Sequence, residues 1–254
     1  MLNKLKIKTT YKVVFSCLVI FLLIGLVEKN HGDKFVRQIV ISVEQQSDNF
    51  FVDRDDIHKL ITNDNTINII GQAMSEVDLK EIEERIKTNL FVKNVDVYKD
   101  LKGALIVNIT QRRPIARVIR YTGPDGYISK AGVILPTSER YTARVMLVSG
   151  ENVDDIVKEG LIAGEENGSL LEVLQYIDQH PFWKAQVAQL AIDKNNEITI
   201  YPQVGRQVIS FGTPEDYDVK FRNLKIFFKK ILPQKGWNHY KRVNIKYNNQ
   251  IVCE

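Results

Sequence analysis

The chain has 254 residues, 44% of them hydrophobic and 26% charged, the composition of a folded protein long enough for one large domain or two small ones. Its formal net charge is +4, but Lys4, Lys6, Lys8 and Lys12 lie in a stretch (1–27) that holds no acid; taking these four from 35 basic residues leaves 31, against 31 acidic ones. The body is therefore formally neutral, which removes the electrostatic case for a nucleic-acid partner, and two distant cysteines, Cys17 and Cys253, exclude a disulfide framework.

The first predicted element is the apolar run "YKVVFSCLVIFLLIGLV" (11–27), with Lys12 as its one charge. A spanning helix needs about 20 residues, with a range of roughly 17–25. Lys8 and Lys12 can snorkel and lengthen the effective span. Residues 11–27 are read as a transmembrane anchor bounded by Lys12, Val13 and Val27, behind a short cytoplasmic tail (1–10). The lysines before it and the mixed charges after it orient the amino terminus inside and the body outside. The rival is a cleaved signal peptide, but the exit "IGLVEKNHG" offers no small-x-small cleavage site, and Cys17 lies mid-span rather than in a lipobox.

Residues 33–112 read as one small α+β domain. Ile39, Ile41 and Val43 alternate with polar residues, as in a half-buried strand. In "FVDRDDIHKLI", Asp53 suits a helix N-cap, Asp56 the third helical position, and Val52 with Ile57 a hydrophobic staple. A second helix opens in the same way, with Asp78 and Glu81 as capping box and Val77 and Ile82 as staple; Leu79, Ile82, Ile86 and Leu90 share a face. Glu81–Arg85 and Glu83–Lys87 add i,i+4 pairs. Two alternating strands follow, through Val95 and Val97 and through Leu105, Val107 and Ile109, joined by "KDLKG". The order is β-α-α-β-β.

"QRRPIARVIRY" (111–121) then joins two strand patterns with almost no linker. A proline cannot donate to a ladder and holds the residue before it extended. Arg112, Arg113 and Pro114 are read as a seam between two domains. From 113 to 254 the pattern is a mixed, β-rich domain. Its elements are a strand over 115–121, the turn "TGPDG", a hairpin over 127–136, a strand over 141–150 and a helix over 169–181 capped by Ser169 and Glu172. Strands at 197–201 and 207–211 follow, then a helix over 213–233 with Thr213 as cap and Pro214 in its first turn, and a last strand over 242–252. Tyr217, Phe221, Leu224, Phe228 and Ile231 line that helix's apolar face.

No catalytic constellation emerges. His31, His58, His180 and His239 form no His-x-x-x-His pair and lie near no cysteine, and no nucleophile elbow or P-loop occurs. Helix capping accounts for "DRDD" (53–56) better than a cation site does, since its spacing fails the calcium-loop pattern. The sequence is read as a binding module, not an enzyme, with no cofactor, metal or small-molecule substrate. A final strand at an open sheet edge could pair with an incoming strand through main-chain bonds.

Several passages in this order resemble the bacterial cell-division FtsQ/DivIB family. They are the anchor behind four lysines, "FVDRDDI", "LKEIEERIKTNLFVKNVDVYKDLKGALIVNITQRRPIARV", "YISKAGVILP" and "VNIKY". The resemblance implies a single N-terminal transmembrane helix, a POTRA domain, and a β domain with a C-terminal helix and edge strand. It implies a bitopic inner-membrane scaffold of the divisome, with its body in the periplasm at the septum. It also implies partners of the FtsB and FtsL type, bitopic membrane proteins, and a role in controlling septal cell-wall synthesis. The partner-binding strand would comprise Asn244, Lys246, Tyr247, Asn248, Gln250 and Val252. Ser129 and Asn244 stand where the family commonly has aspartate, and Lys246 where arginine is usual. Lysine lacks the bidentate fork, so a carboxylate contact there would be weaker and less oriented. Three other readings compete. A POTRA-bearing secretion or assembly component would show repeats or a barrel. An anchored cell-wall enzyme needs a nucleophile or metal cluster. A eukaryotic type II protein would carry paired luminal cysteines.

Overall fold

In the computed structural model, residues 9–32, 35–44, 50–157, 168–247 and 250–254 are described. Helix α1 (Thr9–Gly32) contains the apolar run, and its described apolar side chains between Val14 and Leu23 are all exposed. Side chains of Lys12, Val13 and Val27 fall outside the described set. Counted over the described residues alone, no helix is long and apolar enough to cross a membrane, so the structure by itself does not establish the span.

Two compact units follow: Met1–Glu44 with Val52–Gln111, and Gln45–Phe51 with Arg112–Glu254. Beyond α1, the first unit runs β1 (Gln38–Glu44), α2 (Arg54–Ile61), α3 (Leu79–Lys87), β2 (Val92–Lys99) and β3 (Ala104–Gln111). The sheet order is β1-β3-β2, with β1 parallel and β2 antiparallel to β3. Local chemistry sets both helix starts. The Asp53 carboxylate accepts from Asp56 N–H at 2.9 Å, and the Asp56 carboxylate accepts from Asp53 N–H at 3.1 Å. Asp78 accepts from the N–H groups of Lys80 and Glu81 at 2.9 and 3.1 Å. Satisfying these otherwise orphaned donors contributes about 1 kcal/mol per cap. Ile57, Ile61, Ile82 and Ile86 bury their faces with Val95, Val97, Leu105, Val107 and Ile109 of the sheet. Leu90 does not join that face: α3 ends at Lys87, and Leu90 is exposed. The β2–β3 turn is held by Asp100, whose Oδ1 accepts from the N–H groups of Lys102 and Ala104.

In the second unit the elements are β4 (Pro114–Val118), β5 (Gly126–Ser129), β6 (Ile134–Pro136), β7 (Met146–Ser149), α4 (Val153–Val157), α5 (Gly168–Gln179), α6 (Pro181–Gln186), β8 (Val187–Ile192), β9 (Ile198–Pro202), β10 (Val208–Gly212) and α7 (Tyr217–Ile226). A π-helical turn (Phe227–Ile231), α8 (Leu232–Lys235), β11 (Arg242–Asn244) and β12 (Val252–Cys253) complete it. Nine strands form one sheet in the order β12-β11-β10-β9-β8-β7-β4-β5-β6. Its core joins Ile115, Val148, Leu190, Ile200, Ile209 and Val243 from the strands to Val173, Leu174, Ile177, Trp183, Phe221, Leu224 and Phe227 from the helices.

Several sequence expectations change here. The strand expected over 141–150 begins only at Met146, and α4, α6 and β8 were not foreseen. Pro181 follows the end of α5 at Gln179, as expected, and also opens α6, where its missing N–H costs nothing. The side chain of Ser169 lies outside the described set, and with it the expected capping box. The helix expected from 213 starts at Tyr217, with Asp216 at φ +50° as an N-cap that makes no side-chain bond. A π turn interrupts it, and Phe227 and Phe228 are both buried. Ser129 is buried in the β5–β6 hairpin, where its hydroxyl accepts from Val133 N–H at 3.0 Å.

Candidate functional site

β11 runs parallel to β10, with Ser210 opposite Asn244, and Ile245 N–H donates to Ser210 C=O at 3.1 Å. Val243 and Ile245 point into the core. The single strand expected over 242–252 is broken. The side-chain oxygen of Asn244 accepts from Lys246 N–H at 3.0 Å, a local bond that competes with the ladder and turns the chain out of the sheet. The chain returns as β12, antiparallel to β11, with Val243 opposite Cys253 and Asn244 opposite Val252. Arg242 and Glu254 exchange both backbone bonds, at 3.1 and 3.0 Å. The outer edge of the sheet is therefore β12, and β11 lies one strand inside it.

The expected partner-binding residues separate accordingly. Tyr247 and Val252 are exposed, at 55% and 42%, and Gln250 is exposed. Asn244 and Lys246 are half-buried, and Asn248 lies outside the described residues. The Lys246 ammonium is ion-paired with the Glu197 carboxylate of the same chain. Glu197 was missed in the sequence because the pairing joins residues 49 apart. Burial pushes the neighbouring Lys220 ammonium down, against the pull of Asp216, Glu215 and Glu197; it donates to Thr213 C=O at 2.8 Å. Burial also pushes the Cys253 thiol up, so it is held neutral.

The two ends of the sheet differ chemically. β6 ends in Pro136, a residue that blunts an edge against strand pairing. β12 contains no proline, and the exposed Tyr247 stands nearby in sequence. An edge of this kind can accept main-chain bonds from an incoming strand, while flanking side chains select it.

Among the predicted seam residues, β3 of the three-stranded sheet ends at Gln111 and β4 of the nine-stranded sheet begins at Pro114. The pairing of β4 with β5 is irregular between Pro114 and Ala116, which suits a residue lacking N–H. Arg112 keeps a buried Nε without a hydrogen bond. Arg113 grips Asp178 with both terminal nitrogens, one at 2.9 Å, and Lys184 adds a bond to Asp178 at 3.1 Å. Among the described residues, no group of three or more His, Cys, Asp or Glu could hold a metal ion.

A family model described as FtsQ/DivIB, C-terminal related, matches residues 113–254, and a POTRA-like domain model matches residues 34–110. The cell division protein FtsQ of Geotalea daltonii is 25% identical over 192 residues, covering 72% of this chain and 66% of that protein. The cell division protein FtsQ of Syntrophotalea carbinolica is 22% identical over 180 residues, covering 69% of this chain and 62% of that protein. The chain thus spans just under two thirds of the length of these relatives.

Proposed function

The chain belongs to the FtsQ/DivIB family, and from that premise we propose that it is a bitopic scaffold of the bacterial divisome. α1 anchors it in the inner membrane with the amino terminus in the cytoplasm, and both units stand in the periplasm at the septum. Its partners are FtsB- and FtsL-like bitopic membrane proteins. Holding them times the start of septal cell-wall synthesis. The observation that carries this reading is the order on one chain of an apolar helix, a POTRA-like domain and the FtsQ/DivIB C-terminal domain, shared in part with two proteins named for cell division.

The partner lies along the β12 edge. Tyr247, Gln250 and Val252 make the side-chain contacts. Asn244 shapes the turn through its bond to Lys246 N–H, and Lys246 acts through its pair with Glu197 rather than as a free cation. Capture of the intact protein from native membranes, followed by mass spectrometry, tests this. FtsB- and FtsL-like proteins are expected with the wild type. The Tyr247→Ala variant is expected to remain folded and to lose about 2 kcal/mol of binding, roughly 30-fold in affinity. Equal capture by both forms removes the site but keeps the scaffold. Capture of secretion components instead removes the divisome role.

A further inference from the structure

Among its described residues, the first unit exposes six large apolar side chains outside α1: Phe35, Val40, Ile70, Leu90, Tyr98 and Leu101. Three of them, Phe35, Ile70 and Leu101, lie on the segment that follows α1 and on two loops tied to it by backbone bonds. Phe35 itself is 59% exposed. Val36 exchanges backbone bonds with the next loop, its C=O accepting from Gly71 N–H at 2.8 Å and its N–H donating to Gln72 C=O at 2.9 Å. That loop presents Ile70, 49% exposed. Arg37 N–H donates to Gly103 C=O at 2.8 Å, which fastens the β2–β3 turn alongside; its Leu101 is 73% exposed. Gly103 adopts φ +92°, and a Cβ there would come within 3.0 Å of Phe35 C=O, so the close approach is built into the turn.

The charges around these side chains suit an anionic surface. Arg37 and Lys102 are exposed on the same segment and turn. The carboxylate of Asp100 is turned inward onto the N–H groups of Lys102 and Ala104. The loop between α2 and α3 carries three exposed acids, Asp64, Glu76 and Asp78, the last of which is engaged with the N–H groups of Lys80 and Glu81.

Covalent reach supplies the rest. The apolar run 11–27 covers about 25 Å as a helix, against a hydrocarbon core of about 30 Å, a mismatch that draws the flanking residues inward. From Val27, five helical residues and three further links carry the chain no more than about 18 Å to Phe35. Apolar side chains beside Arg and Lys within that distance match the interfacial mode of membrane contact.

We propose that this end of the POTRA-like unit, formed by Phe35, Ile70 and Leu101 with Arg37 and Lys102, seats in the headgroup layer of the membrane that α1 crosses and fixes how the unit stands on the bilayer. The proposal rests on α1 being an anchor, so its test reads the two separately. The full chain, with Cys17→Ser and Cys253→Ser, is reconstituted in vesicles of phosphatidylethanolamine and phosphatidylglycerol. Single nitroxide labels are introduced through Phe35→Cys, Ile70→Cys, Leu101→Cys, Leu90→Cys and Leu22→Cys. Collision with oxygen is compared with collision with a water-soluble nickel chelate.

The oxygen-to-nickel ratio is expected to be several-fold higher at 35, 70 and 101 than at 90, and highest at 22. Position 90 lies at the far end of β2 from the turn, so it reports bulk water. An aqueous ratio at 35, 70 and 101 beside a deep label at 22 overturns this inference and leaves the anchor standing. An aqueous ratio at 22 overturns the anchor and the inference with it. Shielding of 35, 70 and 101 from both reagents marks a protein contact and also overturns the inference.

Discussion

Arg113 and Asp178 meet across 65 residues of sequence; Arg113 stands beside Pro114 at the predicted seam, but nothing near Asp178 announces the pairing. The Asp178 side chain is 4% exposed and Arg113 20%, while Lys184 keeps 53% of its surface in water. Burial alone would push the Asp178 carboxyl up; hydrogen bonds from Arg113 and Lys184 outweigh it and hold the carboxyl below its usual range. A depressed folded-state value means that Asp178 stabilises the fold above its unfolded value, near 3.9, and that this contribution is lost as pH falls through the folded value. Asp178→Ala strands a half-buried guanidinium. The cost lies between that of a surface pair and that of a fully buried one, about 2–3 kcal/mol at pH 7. Urea titrations of both forms check it, and the gap between them should shrink as pH drops below the carboxylate range. A gap that holds constant with pH would assign the loss to packing instead of charge.

Strands β7 and β8 lie parallel in the middle of the large sheet, and Gly150 closes the first of them. Its φ is +121°, and a Cβ there would stand 2.1 Å from Ile192 C=O and 2.5 Å from Ile192 N. Those are backbone atoms of β8 and cannot rotate away. Gly150→Ala combines a forbidden conformation with a clash and should cost on the order of 3 kcal/mol, read as a lower urea midpoint. Nothing in "VSG" announces this, because the constraint comes from Ile192 in another strand. The same distinction separates what was legible elsewhere. Asp53 with Asp56, and Asp78 with Glu81, act across three residues, so spacing alone located α2 and α3. The alternation was readable because β1 keeps one face half-buried and β3 keeps Leu105, Val107 and Ile109 in the core. The π turn in the C-terminal helix answers to the tertiary demand that both Phe227 and Phe228 be buried. The break after Asn244 had a local signal, an asparagine bonding two residues ahead, but apolar alternation through Val243 and Ile245 masked it. For the candidate site, Tyr247 came from the family resemblance, and its side chain is exposed. The Glu197 partner of Lys246 and the edge position of β12 were not legible, since both depend on where distant strands lie.

For the molecule as a whole, charge sets how a partner is found. Outside the four lysines of residues 1–27, 31 basic and 31 acidic residues cancel, so no net charge steers a charged protein toward the body. At the proposed edge the cation of Lys246 is already neutralised by Glu197. An incoming strand would then bind through backbone bonds and the apolar surface of Tyr247 and Val252, neither of which salt screens. The affinity of the partner captured in the pull-down should therefore change less than about threefold between roughly 50 and 500 mM salt, most of it in the dissociation rate. Calorimetry or surface plasmon resonance at the two ionic strengths reads this directly. A tenfold or steeper loss would mean that charged contacts outside β12 carry the association, which would move the site away from this edge. Lys246→Ala sharpens the comparison. If the Lys246–Glu197 pair only shapes the edge, the variant weakens binding equally at both salt concentrations. If Lys246 reaches the partner's carboxylate instead, the loss is concentrated at low salt.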